Sequence, residues 1–183
     1  MRADNQAFSA KKGGAAAPLY TSAERLRRDS TPWTLVQGVL APTQFLIFLI
    51  SLALVLRYLA TGSGAAAATA SIVVKTITLY TIMITGSIWE KVVVGKWLFV
   101  PAFFWEDVFS MLVLALHTAY LVMLIGDYGT EHGRMLLALA AYATYAVNAT
   151  QFLLKLRAAR LQSAGSAGPA SPAPAAMTGV MAR

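Results

Sequence analysis

The chain has 183 residues, 57% of them hydrophobic and 13% charged, with a net charge of +7 and no cysteine. So apolar a balance excludes an ordinary soluble domain and reads as a polytopic membrane protein, while the absence of thiols excludes disulfides and thiolate metal sites. The positive charge gathers at the ends and in one loop, not in a stripe with interleaved aromatics. It fits membrane orientation and not nucleic-acid binding.

Residues 1–18 are rich in Ala, Gly and Lys and are expected to be disordered. No secretory signal peptide is read here: the first apolar run is too long for one, and no small-residue cleavage site follows it. Residues 20–29 (YTSAERLRRD) predict a short, basic, amphipathic helix, with Thr21 or Ser22 as N-cap and Glu24 in the first turn. Pro32 then opens a new helix, and Trp33 sits at the interface.

Four spans follow, at about 35–59, 66–94, 101–125 and 134–156, each near the roughly 20 residues that cross a bilayer core. The second is long enough to tilt. From about residue 161 an Ala/Ser/Gly/Pro tail is expected to be disordered. The fold class is therefore an all-α integral membrane protein. Residues 19–160 form a four-transmembrane-helix bundle with a short N-terminal amphipathic helix, between disordered tails at 1–18 and 161–183.

Arg25, Arg27 and Arg28 precede the first span, Lys91 and Lys96 lie between the second and third, and Lys155, Arg157 and Arg160 close the fourth. The other two loops are neutral or acidic. The positive-inside rule places both termini and the loop at 91–100 in the cytoplasm, while Arg57 and Arg134 snorkel on the far side.

Where the second and third spans meet, Trp89-Glu90 and Trp105-Glu106-Asp107 stand on opposite arms of a hairpin. Acids in an apolar stretch are costly unless paired, protonated or used. Antiparallel spans bring Glu90 and Glu106 to similar depth, about a helix diameter apart. A carboxyl buried beside tryptophan is disfavoured as a charge and can give up a proton. The alternative is interfacial: Glu90 pairs with Lys91 or Lys96, and the other acids favour the helix start. Having the nearer lysine, Glu90 is the weaker candidate of the three.

Helical spacing puts Glu106, Ser110, Val113 and His117 on one face, with His117 about 16 Å deeper. It can ligate a metal or shuttle protons, or simply bond across helices. Gln37, Gln44, Ser51 and Tyr58 recur every seven residues on the first span. Asn148, Gln151 and Lys155 share a face of the fourth. Such groups glue helices together; Lys75, an intramembrane cation, needs a partner or a cavity. No P-loop, dinucleotide fingerprint, nucleophile elbow or HExxH is present. Proton chemistry, binding or transport remains.

The strings PLYT from Pro18, ER from Glu24, PWTLVQG from Pro32, LVLRYL from Leu54, IWEK from Ile88, PAFFWEDV from Pro101 and HTAY from His117 resemble the 3-vinyl (bacterio)chlorophyllide hydratase family over about 18–160. That resemblance implies hydration of the 3-vinyl group of chlorophyllide a, or of a related bacteriochlorin, to a 1-hydroxyethyl group during bacteriochlorophyll synthesis. An acid would protonate the terminal vinyl carbon and water would add at the adjacent cation. No cofactor is implied, since magnesium belongs to the substrate. The resemblance brings no assigned catalytic set. The residues offered are Glu106 or Asp107 as proton donor and Glu90 or the other acid to orient water. His117 is offered as relay or axial ligand to the substrate magnesium. Trp89, Trp105, Phe103 and Phe104 would stack on the macrocycle, and Lys91, Lys96 or Arg28 would meet its propionate. The expected partners are the tetrapyrrole, the lipid bilayer of a bacterial inner membrane and neighbouring pigment-biosynthesis enzymes; oligomeric state is left open. A non-catalytic pigment-binding protein and a small proton-coupled transporter are the competing classes. The transporter predicts an inverted repeat or broken helices, and neither is visible.

Overall fold

The computed structural model describes residues 20–101 and 103–166. The disorder expected at 1–18 and beyond 166 lies outside the described residues. Five helices follow in order: α1 (Ser22–Ser30), α2 (Pro32–Thr61), α3 (Ala65–Val93), α4 (Phe104–Ile125) and α5 (Glu131–Ser166). Four stretches, Pro32–Thr61, Ala65–Val93, Phe104–Ile125 and Glu131–Ala158, are long and apolar enough to cross a membrane. The four-span, all-α expectation holds.

Local chemistry sets the ends. At α1 the Thr21 hydroxyl accepts from Glu24 N–H at 3.3 Å, and the Glu24 carboxylate accepts from Thr21 N–H at 2.7 Å. This capping box satisfies two otherwise orphaned donors. Thr31 caps α2, with Pro32 in its first turn where no N–H is missed. α2 stops at Gly62, whose φ of 68° is the left-handed conformation glycine adopts without strain.

Two boundaries differ from expectation. α4 starts at Phe104, not Pro101, because a turn closed by Phe103 N–H to Val100 O at 2.8 Å precedes it. α5 continues past residue 161 to Ser166, since Ala, Arg, Leu and Gln are good helix formers and no breaker comes before Gly165.

α2 packs along α3 and α4 along α5; α2–α5 and α3–α4 contacts close the bundle, and α1 lies on α3. Leu46, Ile50, Ile77, Ile84, Val122 and Leu153 face outward, while Gln44, Ser51, Lys75, Thr76, Ser110, His117 and Asn148 are buried. Lipid solvates leucine as well as a core does, so polar groups take the inside. Some of these bind helix to helix. Ser51 Oγ lies 2.6 Å from both Ser71 Oγ and the Tyr142 hydroxyl, and Gln37 donates to Thr85 at 2.8 Å. Around them pack Phe48, Val55, Ile72, Val113 and Met135. The seven-residue polar stripe on α2 therefore faces the interior at Gln44, Ser51 and Tyr58.

Candidate functional site

The end of α3 and the start of α4 bring the three acids together and bury them: Glu90, Glu106 and Asp107 are 7%, 6% and 5% exposed. The Glu90 and Asp107 carboxyls lie near enough across the two helices to interact. Asp107 also accepts from the Phe99 N–H at 2.6 Å. Phe99 has φ 56°, a left-handed conformation costing a non-glycine residue about 1–2 kcal/mol. The connection between α3 and α4 is bent so that this N–H meets the acid.

Glu106 has a different partner. Its Oε2 lies 2.6 Å from Lys155 Nζ of α5. The acid with a lysine partner is thus Glu106, through Lys155, and among the described residues neither Lys91 nor Lys96 forms the ion pair expected with Glu90. Lys91 turns back onto its own loop, donating to Gly95 O at 3.1 Å. Lys96 is exposed and pairs with neither acid among the described residues.

Tyr20, Trp89 and Phe103 close over the acids. Tyr20 lies 6.4 Å from Trp89 and 6.0 Å from Phe103, ring centre to ring centre, and Trp89 lies 6.1 Å from Phe103. The Trp89 indole donates to Thr34 Oγ1 at 2.9 Å, and Lys155 Nζ sits 4.9 Å from the centre of the Phe103 ring. Burial pushes the Tyr20 hydroxyl up to about 12, with Arg28 opposing and Glu24 and Glu90 reinforcing. Tyr20 is therefore a hydrogen-bond donor at any physiological pH. Trp105 and Phe104, expected with this group, point outward at 65% and 43% exposure. With Trp97 and Phe99 they form an aromatic apron at the end of the bundle, of the kind that sits at a membrane interface.

On the outer side of Tyr20 and Phe103 is a cleft of about 350 Å³, lined by Tyr20, Glu24, Val94, Lys96, Val100, Pro101 and Phe103. Arg28 stacks 5.1 Å above the Tyr20 ring and pairs with Asp29 at 2.8 Å. Of the three basic residues expected near a ligand, Lys96 lines this cleft, Arg28 stacks on its Tyr20 wall and Lys91 does not line it.

His117 lies about 15 Å further along α4 than Asp107. It is 1% exposed, with its ring 5.8 Å from Tyr142. Nδ1 is 2.8 Å from Val113 O, so the ring donates there and Nε2 keeps its lone pair. Lys75 is fully buried, with Nζ 3.8 Å over the Tyr145 ring. The structure gives His117 no face open to a flat macrocycle.

Two buried carboxyls this near each other disfavour the doubly ionised state, and Tyr20, Trp89 and Phe103 cluster beside them. Lys155 and Thr34 were not singled out in the sequence as site residues, and Tyr20 only as the start of a helix. Lys155 had a signal, since it shares a helix face with Asn148 and Gln151; Tyr20 had one only in lying within the PLYT string.

A family model described as 2-vinyl bacteriochlorophyllide hydratase (BCHF) matches residues 20–158. A protein named 2-vinyl bacteriochlorophyllide hydratase from Cereibacter sphaeroides is 69% identical over 125 residues, 68% of this chain and 77% of the relative. One of the same name from Rhodobacter capsulatus is 65% identical over 124 residues, 68% of this chain and 72% of the relative. No solved structure matches the chain.

Proposed function

The chain belongs to the 2-vinyl bacteriochlorophyllide hydratase family, and from that premise we propose that the buried Glu90–Asp107 pair is the acid–base device of the reaction. The protein is a membrane-embedded hydro-lyase of bacteriochlorophyll biosynthesis that adds water to the vinyl group of its tetrapyrrole. (Position 2 in the family's description is position 3 in systematic ring numbering.) Membership decides between the classes left open by the sequence: the protein turns the pigment over.

The observation that carries the site reading is the burial of Glu90 and Asp107 side by side at the α3–α4 hairpin, with the Phe99 N–H on Asp107. The protonated member gives its proton to the terminal vinyl carbon. The positive charge on the adjacent carbon spreads into the macrocycle. Water adds there, and its proton passes to the other member. The pair begins and ends with one proton, so no external acid is consumed. Asp107, oriented by the Phe99 N–H, is the better-positioned carboxyl. Glu106, ion-paired to Lys155, holds α4 and α5 in register and sets the field at the pair.

Substrate binding follows from the surroundings. Tyr20, Trp89 and Phe103 contact the reacting ring, and the outward Phe104 and Trp105 hold the part of the macrocycle that the cleft is too small to enclose. Lys96 and Arg28 meet the free propionate of chlorophyllide a or its bacteriochlorin counterpart. Membrane insertion is that of a bacterial inner membrane with both termini cytoplasmic, and the pigment arrives from the cytoplasmic interface.

Membranes carrying Asp107→Asn test the assignment. Turnover falls about 10²–10³-fold, the scale of a lost general acid or base, while the bound pigment keeps its wild-type absorption. Full turnover in this variant removes Asp107 from the chemistry.

A further inference from the structure

Below the acids the bundle interior holds polar atoms that the described residues leave without hydrogen-bond partners: Asn148 Oδ1, Gln151 Oε1, both amide atoms of Gln44, His117 Nε2 and Lys75 Nζ. Asn148, Gln44, His117 and Lys75 are 8%, 1%, 1% and 0% exposed. Each such atom costs about 1–3 kcal/mol if nothing meets it, and in lipid no bulk water can. Six of them in one bundle point to a ligand.

They also line up. Lys75 lies on Tyr145, and Phe48 packs on Tyr142 and Tyr145. Gln44 is one turn from Phe48 toward the start of α2, and Asn148 is about one turn from Tyr145 along α5, so both sit at the same level. Asn148 donates to Ser110 Oγ at 2.9 Å, and Ser110 is about one turn from Asp107. Gln151 is about one turn further along α5, and Lys155 with its partner Glu106 is one turn beyond that. The file therefore runs about 15 Å, from Lys75 and His117 to the acids.

Its chemistry selects the occupant. Asn148 Oδ1, Gln151 Oε1, Gln44 Oε1 and His117 Nε2 are acceptors, against two unpartnered donors, Gln44 Nε2 and Lys75 Nζ. An anion would meet mostly acceptors, and an apolar chain would satisfy none. Water, which donates twice and accepts twice, matches the hydrogen-bonding chemistry of every one of these atoms.

We propose that this file holds internal water and that the water added to the vinyl group is drawn from it. The inference rests on the hydratase reading above. A macrocycle seated over Tyr20, Trp89 and Phe103 shields the acid pair from cytoplasmic water, and the interior file is then the supply on the opposite side. Asn148 and Gln44 are positioning residues, acting through the water they hold.

Hydroxyl-radical footprinting of the protein in membranes, with radicals generated from water by a short X-ray pulse, tests occupancy directly. Tyr142 and Tyr145 are labelled although both are buried, and Gln44→Leu with Asn148→Leu reduces that labelling at least fivefold. In the pigment assay each single variant lowers kcat about tenfold or more with KM changed less than twofold. Absence of label on both tyrosines in the wild type overturns the file. Labelled tyrosines with unchanged kcat in both variants overturn its role as supply. Either result leaves the Asp107→Asn outcome, and with it the acid-pair reading, standing on its own.

Discussion

Asp107 and Glu106 are neighbours in sequence with different partners, because each faces a different helix. Asp107 meets Glu90 of α3 and the Phe99 N–H; Glu106 meets Lys155 of α5. Glu106→Gln is expected to lower kcat less than tenfold. It also destabilises the bundle by roughly 1–3 kcal/mol, below the figure for a fully buried pair because Lys155 is partly exposed. Denaturant titration in detergent measures the second effect and the pigment assay the first. The sequence placed all three acids at one depth, because rise per residue is fixed. Which acid turned toward which helix was not legible. A rotation of one residue, about 100°, separates Glu106 from Asp107, and tertiary packing sets the rotation. The same limit explains Trp105 and Phe104, which share a motif with Phe103 yet point outward.

At the scale of elements, α1 was readable from its capping signature alone, while its docking on α3 was not. Arg27 donates to Val93 O at 2.8 Å, fastening the helix to the end of α3. Glu24 is held below its ordinary value by hydrogen bonds from the Thr21 backbone and side chain. A lowered carboxyl contributes stability above its unfolded pKa and loses it as pH falls through the folded one. α1 should therefore loosen below about pH 4.5, the ordinary Glu value, and Glu24→Gln should abolish this pH dependence. Hydrogen exchange of residues 22–30 reads it. Among the long helices, Ser51 links α2 to α5 through Tyr142. Ser51→Ala should cost about 0.6–1.7 kcal/mol, the range for hydrogen bonds inside membrane bundles, seen as a lower denaturation midpoint.

The whole molecule is a bundle turned inside out relative to a soluble one, with leucines outward and amides, hydroxyls, a lysine and a histidine inward. That arrangement was legible as stripes of seven-residue spacing on α2 and a shared face on α5. The sequence could not say whether the stripes glued helices or enclosed something. The structure divides them: Ser51 and Gln37 are bonded across helices, and Gln44 is not. Orientation follows from the basic residues of α1, the loop after α3 and the end of α5. Phosphatase reporters placed after Gly62 or Asp127 should be active, and one placed after Gly95 inactive; the reverse pattern overturns the proposed topology. The acid pair would then face the cytoplasm, where a pigment with a free propionate is soluble enough to arrive. The central claim is that Glu90 and Asp107 act as one proton-holding unit, and a double-mutant cycle on kcat tests it most directly. Glu90→Gln and Asp107→Asn should each lose about 10²–10³-fold. The double variant should lose little more than the worse single, because groups acting as a unit are not additive. Wild-type turnover in either single variant, or losses that multiply in the double, would contradict the account.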